Sequence, residues 1–174
     1  MLYFKMKNIS FILAFCIVLG VSAQVKKPKE KPVFTEVSNK DIVQSVFPEA
    51  AKVEKLNDLW YRVLDGQNKV LGFALSSSNA CEEVKGYHAK TPVMIVTNKA
   101  FEIKKTALLS YWETKGHVRK LQKKGFFDLW NGKTLSAAKT VKLDAYTGAT
   151  ITAKAVGRNV NFLLKNGIKK LPQN

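Results

Sequence analysis

The stretch Asp144-Ala145-Tyr146-Thr147-Gly148-Ala149-Thr150-Ile151-Thr152 concentrates three threonine hydroxyls, a glycine and a small alanine ahead of a segment with helical spacing. A glycine just before a helix adopts backbone angles closed to other residues, and the alanine after it leaves room for a bulky group. Backbone N–H groups at a helix start lack intrahelical partners, and the helix dipole favours negative charge there. A phosphate at Thr150 would therefore meet free donors. Thr147 and Thr152 would add hydroxyls, and Asp144 would order the turn through its own backbone bonds. The same residues also suit a threonine-rich helix cap that follows a turn and holds no ligand.

The helix opened by this turn is expected from Thr152 to Leu164, where Ala155, Val156, Val160, Leu163 and Leu164 keep helical spacing and Lys169-Lys170 closes the end favourably. Upstream, Ser38 is an N-cap for an amphipathic helix of about three turns through Asp41, Ile42, Val43, Val46 and Phe47, stopped by Pro48. Two apolar, aromatic-rich runs, Leu59 to Leu64 and Lys69 to Leu75, flank Asp65-Gly66-Gln67-Asn68 and predict a β-hairpin. A second hairpin is expected from Val93-Met94-Ile95-Val96, a turn at Asn98-Lys99, and a longer strand from Phe101 to Trp112. His117 to Lys124 predicts a basic helix broken at Gly125, and Phe126 to Gly132 a lid or a cap on the core. Strands in succession with helices at the ends predict an α+β fold: a single domain with a mainly antiparallel sheet of hairpins packed against N- and C-terminal helices.

The 174 residues suit one such domain, and 46% hydrophobic residues suffice for one core. Residues 1–23 have the pattern of a signal peptide: Lys5 and Lys7, an apolar run from Ile9 to Gly20, and Val21-Ser22-Ala23 before a cut ahead of Gln24. The expected product is exported, to the periplasm or the outer face of the cytoplasmic membrane, with an uncleaved N-terminal anchor as the alternative. Residues 24–37 form a basic, proline-punctuated linker, and residues 38–174 the folded domain. The charge is uneven, with 29 Lys and Arg against 13 Asp and Glu, a formal +16. Removing Lys5 and Lys7 leaves 27 against 13, or +14, which favours anionic partners. Export argues against nucleic acid among them. Outside the N-terminal segment Cys81 stands alone, which excludes an intramolecular disulfide and a cysteine-ligated metal site. Two histidines, His88 and His117, are too few for a histidine-rich metal site. The chain has neither G-x-G-x-x-G nor G-x-x-x-x-G-K-[ST], so the common noncovalent phosphate cradles are missing.

Asp144 to Thr150 resembles the D-x-x-[ST]-G-A-[TS] flavinylation sequence of FMN-binding domain proteins, among them the flavin-carrying subunits of the sodium-pumping NADH:quinone reductase and the Rnf complex. The resemblance implies FMN joined to Thr150 by a phosphoester, installed by a separate flavin transferase, with Asp144, Thr147, Gly148, Ala149 and Thr152 around it. Glu113-Thr114-Lys115-Gly116 is similar to the family's E-T-x-G stretch near the flavin ring and ribityl chain, which puts Glu113 and Thr114 in the site. Gly86-Tyr87 before a strand resembles the family's glycine-rich approach, although His88-Ala89-Lys90 stand where glycines are expected. The residues after Gly116 are likewise basic rather than glycine-rich.

The implied function is electron carriage between a membrane-bound redox partner and an extracytoplasmic acceptor, with the protein setting the flavin's orientation and potential. Tyr87, Trp112 and Trp130 are candidates to flank the ring, with core packing as the alternative for each. His88 either bonds the ring or belongs to a surface loop, and His117 is expected in solvent. The lysine excess suits an acidic redox partner or peripheral contact with an anionic membrane. Two other classes compete: a flavin-free basic module that binds an anionic surface or polymer, and a small flavin-dependent reductase. An electron-transfer domain is favoured over a stand-alone enzyme, because so short a chain has no recognisable donor or substrate domain.

Overall fold

The computed structural model describes residues 29–81, 83–144 and 146–172, so the expected export signal lies outside the described residues. Five strands form an antiparallel sheet in simple sequence order: β2 (Ala50–Lys55), β3 (Trp60–Asp65), β4 (Val70–Ser76), β5 (Val93–Asn98) and β6 (Ile103–Leu108). The β3–β4 hairpin pairs Trp60 with Leu75 and Arg62 with Phe73. Asp65 Oδ1 accepts from the N–H groups of Gln67 and Lys69, so the turn chemistry visible in the sequence is what closes it.

Alternation along the central strands sends side chains to two separate cores. Phe73, Leu75, Val93 and Ile95 face one side with Trp60, while Ala74, Met94 and Val96 face the other with Val63. The first face is covered by α4 (Thr150–Gly167), through Ala153, Val156, Val160, Leu163 and Leu164. Burying each of those leucines contributes about 2 kcal/mol. Trp60 Nε1–H donates to the Gly167 carbonyl at 3.0 Å, fixing the far end of α4 to β3. Asn159, 1% exposed, donates to the Thr91 carbonyl at 3.0 Å and anchors the middle of α4 beside the entrance to β5. The second face is covered by α1 (Asn39–Gln44), whose Ile42 and Val43 are buried.

Three local expectations are corrected. Helix α1 is capped by Ser38 as expected, but it spans six residues, and Val46 and Phe47 leave it to pack on the sheet. The long strand expected from Phe101 to Trp112 is two strands. After β6 the chain turns at Leu109-Ser110 and begins β7 (Tyr111–Glu113), which leaves the main sheet. Its partner is β1 (Val33–Thr35), within the stretch expected as linker, with Phe34 opposite Trp112 and Val33 opposite Glu113. Ser110 closes the pair, its Oγ accepting from Val37 N and donating to Val37 O.

Helix α2 (Lys115–Lys123) follows β7 directly, and a 3-10 turn at Phe126–Asp128 then returns the chain to the core. Phe126 and Trp130 are 0% and 1% exposed and cross edge to face, so this segment caps the core and is not a lid. The short helix α3 (Leu135–Ala138) leads to the turn before α4.

Candidate functional site

The site lies where β7, α2 and the start of α4 meet the loop that carries Gly86 and Tyr87. Glu113 is its centre. The alternation of β7 turns Trp112 outward and Tyr111 and Glu113 inward, and the Glu113 side chain is fully buried. Its Oε1 accepts from the backbone N–H groups of Tyr87 and His88, the latter at 3.3 Å, and its Oε2 accepts from Thr152 Oγ1 at 3.3 Å. One acidic side chain thus joins three segments distant in sequence: the Gly86 loop, β7 and α4. Gly86 is required by contact, because a Cβ there would collide with Glu113 Oε1 and with the Thr91 methyl group.

Thr114 is the N-cap of α2, yet its hydroxyl does not cap the helix. It bonds with His88 Nε2 at 3.2 Å. His88 is an exposed loop residue held by that bond, which favours the second of the two roles open to it.

The turn before α4 has the geometry that the glycine predicts. Gly148 has φ 78°, in the left-handed region where an L side chain is strained. Helix α4 starts at Thr150, two residues earlier than its apolar spacing indicates, with Ala149 as N-cap and no side-chain cap. Its first-turn N–H groups therefore keep no side-chain acceptor. Thr150 Oγ1 donates to the Tyr146 carbonyl at 2.8 Å, which fixes the hydroxyl at the head of the helix. Thr152, the third threonine, is buried against Glu113.

Two cavities share Thr150. One, of about 260 Å³, is lined by Tyr87, His117 and Gly148 through Thr152. The other, of about 220 Å³, is lined by Leu143, Asp144, Thr150, Ala153 and Lys154. Of the residues singled out in the sequence, Tyr87, Gly148, Ala149, Thr150 and Thr152 line the first and Asp144 the second, while Gly86, Glu113 and Thr114 support the first from behind. Thr147 is exposed in the turn and lines neither.

Among the aromatic candidates, Tyr87 is 51% exposed and meets the His117 ring edge to face at 5.1 Å between centroids. Trp130 is core, which corrects its candidacy as a ring neighbour. Trp112 is 47% exposed but lies against Phe34, at 6.2 Å between ring centroids, and lines neither cavity.

Two residues enter the site unannounced. His117, expected in solvent, is half-buried in the first cavity wall, and its Nδ1 has no partner among the described residues. Lys120 reaches the turn itself: a Cβ on Gly148 would lie 2.6 Å from its Nζ. Helical spacing from His117 contained both, since i and i+3 share a face, but only the crossing of α2 with α4 says what that face meets.

Tyr146 is packed edge to face on Phe126 at 4.9 Å, with Lys124 Nζ 5.8 Å from its ring centroid. Burial, and then the negative charge of Asp144, push its phenol above the ordinary tyrosine value. Burial first, then Glu83, also raise the Cys81 thiol, which is therefore a poor nucleophile at neutral pH. Among the described residues, no cluster of three or more His, Cys, Asp or Glu could hold a metal ion, and no helix is long and apolar enough to cross a membrane.

Residues 86–165 match the family model described as FMN-binding domain, an interval that begins at Gly86 and runs almost to the end of α4. No curated protein matches the chain at a significant level.

Proposed function

From the match of residues 86–165 to the FMN-binding domain model, we propose that the chain is an exported electron carrier whose FMN is joined by a phosphoester to Thr150. The observation that carries the reading is the position of the Thr150 hydroxyl. Thr150 is the first residue of an 18-residue helix without a side-chain cap and lines both cavities, and its hydroxyl is held by the Tyr146 carbonyl. One phosphoester oxygen can be the threonine oxygen itself, while the first-turn N–H groups and the helix dipole favour the charged oxygens beside it.

The residues present fit the group. Gly148 and Ala149 keep side-chain bulk away from the turn. Tyr87 offers an exposed aromatic face on the cavity wall, and His117 Nδ1 is a polar atom still lacking a partner. Glu113 contributes by holding the Gly86 loop, through backbone bonds, over Thr152. When bound, FMN supplies reversible one- or two-electron transfer. The covalent step needs a flavin transferase that presents FMN through an activated phosphoanhydride. Thr150 Oγ1 forms the new P–O bond as the anhydride P–O bond breaks, and the second phosphate of the anhydride leaves as a phosphomonoester that carries the hydroxyl proton away. Permanent attachment suits an exported protein, since lost FMN is hard to replace outside the cytoplasm. A membrane-bound redox partner and peripheral membrane contact complete the reading, in keeping with the excess of lysine.

The test is to co-produce the chain with a flavin transferase, denature it and look for flavin fluorescence on the gel band. Wild type should carry the label and Thr150→Ala should not. An unlabelled wild type beside an active transferase removes the covalent reading, and a labelled Thr150→Ala removes the site. Turnover of NADH with soluble acceptors by the purified flavoprotein alone would favour a reductase over a carrier.

A further inference from the structure

We infer that Lys120 holds the flavin phosphate at the attachment turn, so that this chain distinguishes FMN from riboflavin through α2; the inference rests on the flavin reading above. His117, Lys120 and Lys124 follow i, i+3, i+7 spacing along α2 and its C-cap, which puts them on one face. That face meets the segment leading into α4 at three successive places. His117 lines the cavity with Gly148 to Thr152, Lys120 Nζ sits against the Gly148 backbone, and Lys124 Nζ stands over the Tyr146 ring.

The electrostatics of this arrangement are unbalanced. Lys120 is an exposed residue that makes no ion pair or hydrogen bond among the described residues, and its ammonium lies beside the Gly148 backbone. That places it two residues ahead of the N-terminus of α4 and the positive end of its dipole, and Lys124 adds a second cation one turn along α2. Both lysines are exposed, so solvent screens their repulsion, and the excess of positive charge beside the helix end favours an anion there without requiring one. A phosphate esterified at Thr150 retains a negative charge and would lie two residues from Gly148, so it is the matching anion. Gly148 is required for its φ of 78°, and a side chain there would also shift the flexible Lys120 ammonium. His117 Nδ1, buried and without a partner among the described residues, is a second polar group on the same face.

The experiment titrates the full chain, made without a flavin transferase, with FMN and with riboflavin, following quenching of flavin fluorescence. Wild type should bind FMN about tenfold more tightly than riboflavin, the factor that goes with one charge-assisted hydrogen bond. Lys120→Gln and Lys120→Glu should weaken FMN to the level of riboflavin while leaving riboflavin unchanged, and Lys120→Arg should keep the preference. Equal affinities in wild type, or a preference that survives Lys120→Glu, overturn the assignment. So does a variant that loses riboflavin along with FMN, because the lysine would then serve the fold and not the phosphate. A wild type that binds neither free flavin overturns the assignment of Lys120, while the flavin reading then stands or falls with the transferase label. A wild type that prefers FMN but takes no label from an active transferase leaves Lys120 assigned and removes only the link to Thr150.

Discussion

The carboxylate of Glu113 fills the space that a side chain on Gly86 would need. Close approach of the Gly86 backbone is what lets the N–H groups of the next two residues, Tyr87 and His88, reach a single buried carboxylate oxygen. Gly86→Ala should therefore push Glu113 out of register with both donors and with Thr152. A loss of about 1–3 kcal/mol is expected, as for an overpacked core site. Urea unfolding monitored by tryptophan fluorescence measures it, and an unchanged midpoint would mean that the loop yields without disturbing Glu113.

Glu113 itself separates charge from shape. Glu113→Gln keeps the volume but loses the charge that strengthens all three bonds, and it keeps the contact with Thr152 by turning the hydroxyl from donor to acceptor. Glu113→Ala strands all three donors beside a void. With about 1.5–3 kcal/mol for a hydrogen bond to a charged group, Gln should cost about 2 kcal/mol and Ala more. Thr152→Val removes one of the three bonds and should cost less than either. The order Val, Gln, Ala in rising cost is the expected outcome in equilibrium unfolding.

The sequence disclosed what local chemistry controls. Asp65-Gly66 between two apolar runs could only close a hairpin, and Ser38 could only start a helix, because each effect acts within four residues. Strand β2 was missed since Ala50-Ala51-Lys52-Val53-Glu54-Lys55 has few apolar residues, all of them small; as an edge strand it packs little more than Ala50 and Val53. Strand β1 was missed for a similar reason. Its three residues follow a lysine- and proline-rich run, and its order comes from pairing with β7, nearly eighty residues away. In the site, Gly148 and Thr150 were legible because a turn before a helix is local. Lys120 and the placement of His117 were not, because they depend on how α2 crosses α4. A basic run looks the same whether it faces solvent or a backbone turn.

Gly148 can be tested apart from any flavin. Gly148→Ala forces a Cβ into the left-handed region and against Lys120 Nζ. The conformational part alone should cost about 1–2 kcal/mol. Gly66→Ala is the control: nothing lies within 4 Å of a Cβ there and its φ is not positive, so the change should stay within about 0.5 kcal/mol. Equal costs at the two positions would refute the strain assigned to the turn. Paired with Lys120→Ala, which removes the steric part, the same substitution should cost less than in wild type. The difference in a double-mutant cycle measures how much of the penalty comes from the lysine.

The phenol of Tyr146 gives the turn a dependence on alkaline pH. Burial, and secondly the charge of Asp144, raise its folded value above the unfolded value of about 10. A group whose folded value is raised stabilises the fold fully below the unfolded value, and that contribution is lost as pH rises through the folded one. Absorbance at 295 nm, taken as wild type minus Tyr146→Phe, should therefore show a phenol titrating above pH 10. Asp144→Asn should bring that titration partway back, since burial, the larger cause, remains. Tyr146→Phe cannot ionise, so its alkaline unfolding midpoint should lie above that of wild type. A Tyr146 component that titrates at the ordinary value would mean that the turn admits water to the ring, and the shielding assigned to Phe126 would fall with it.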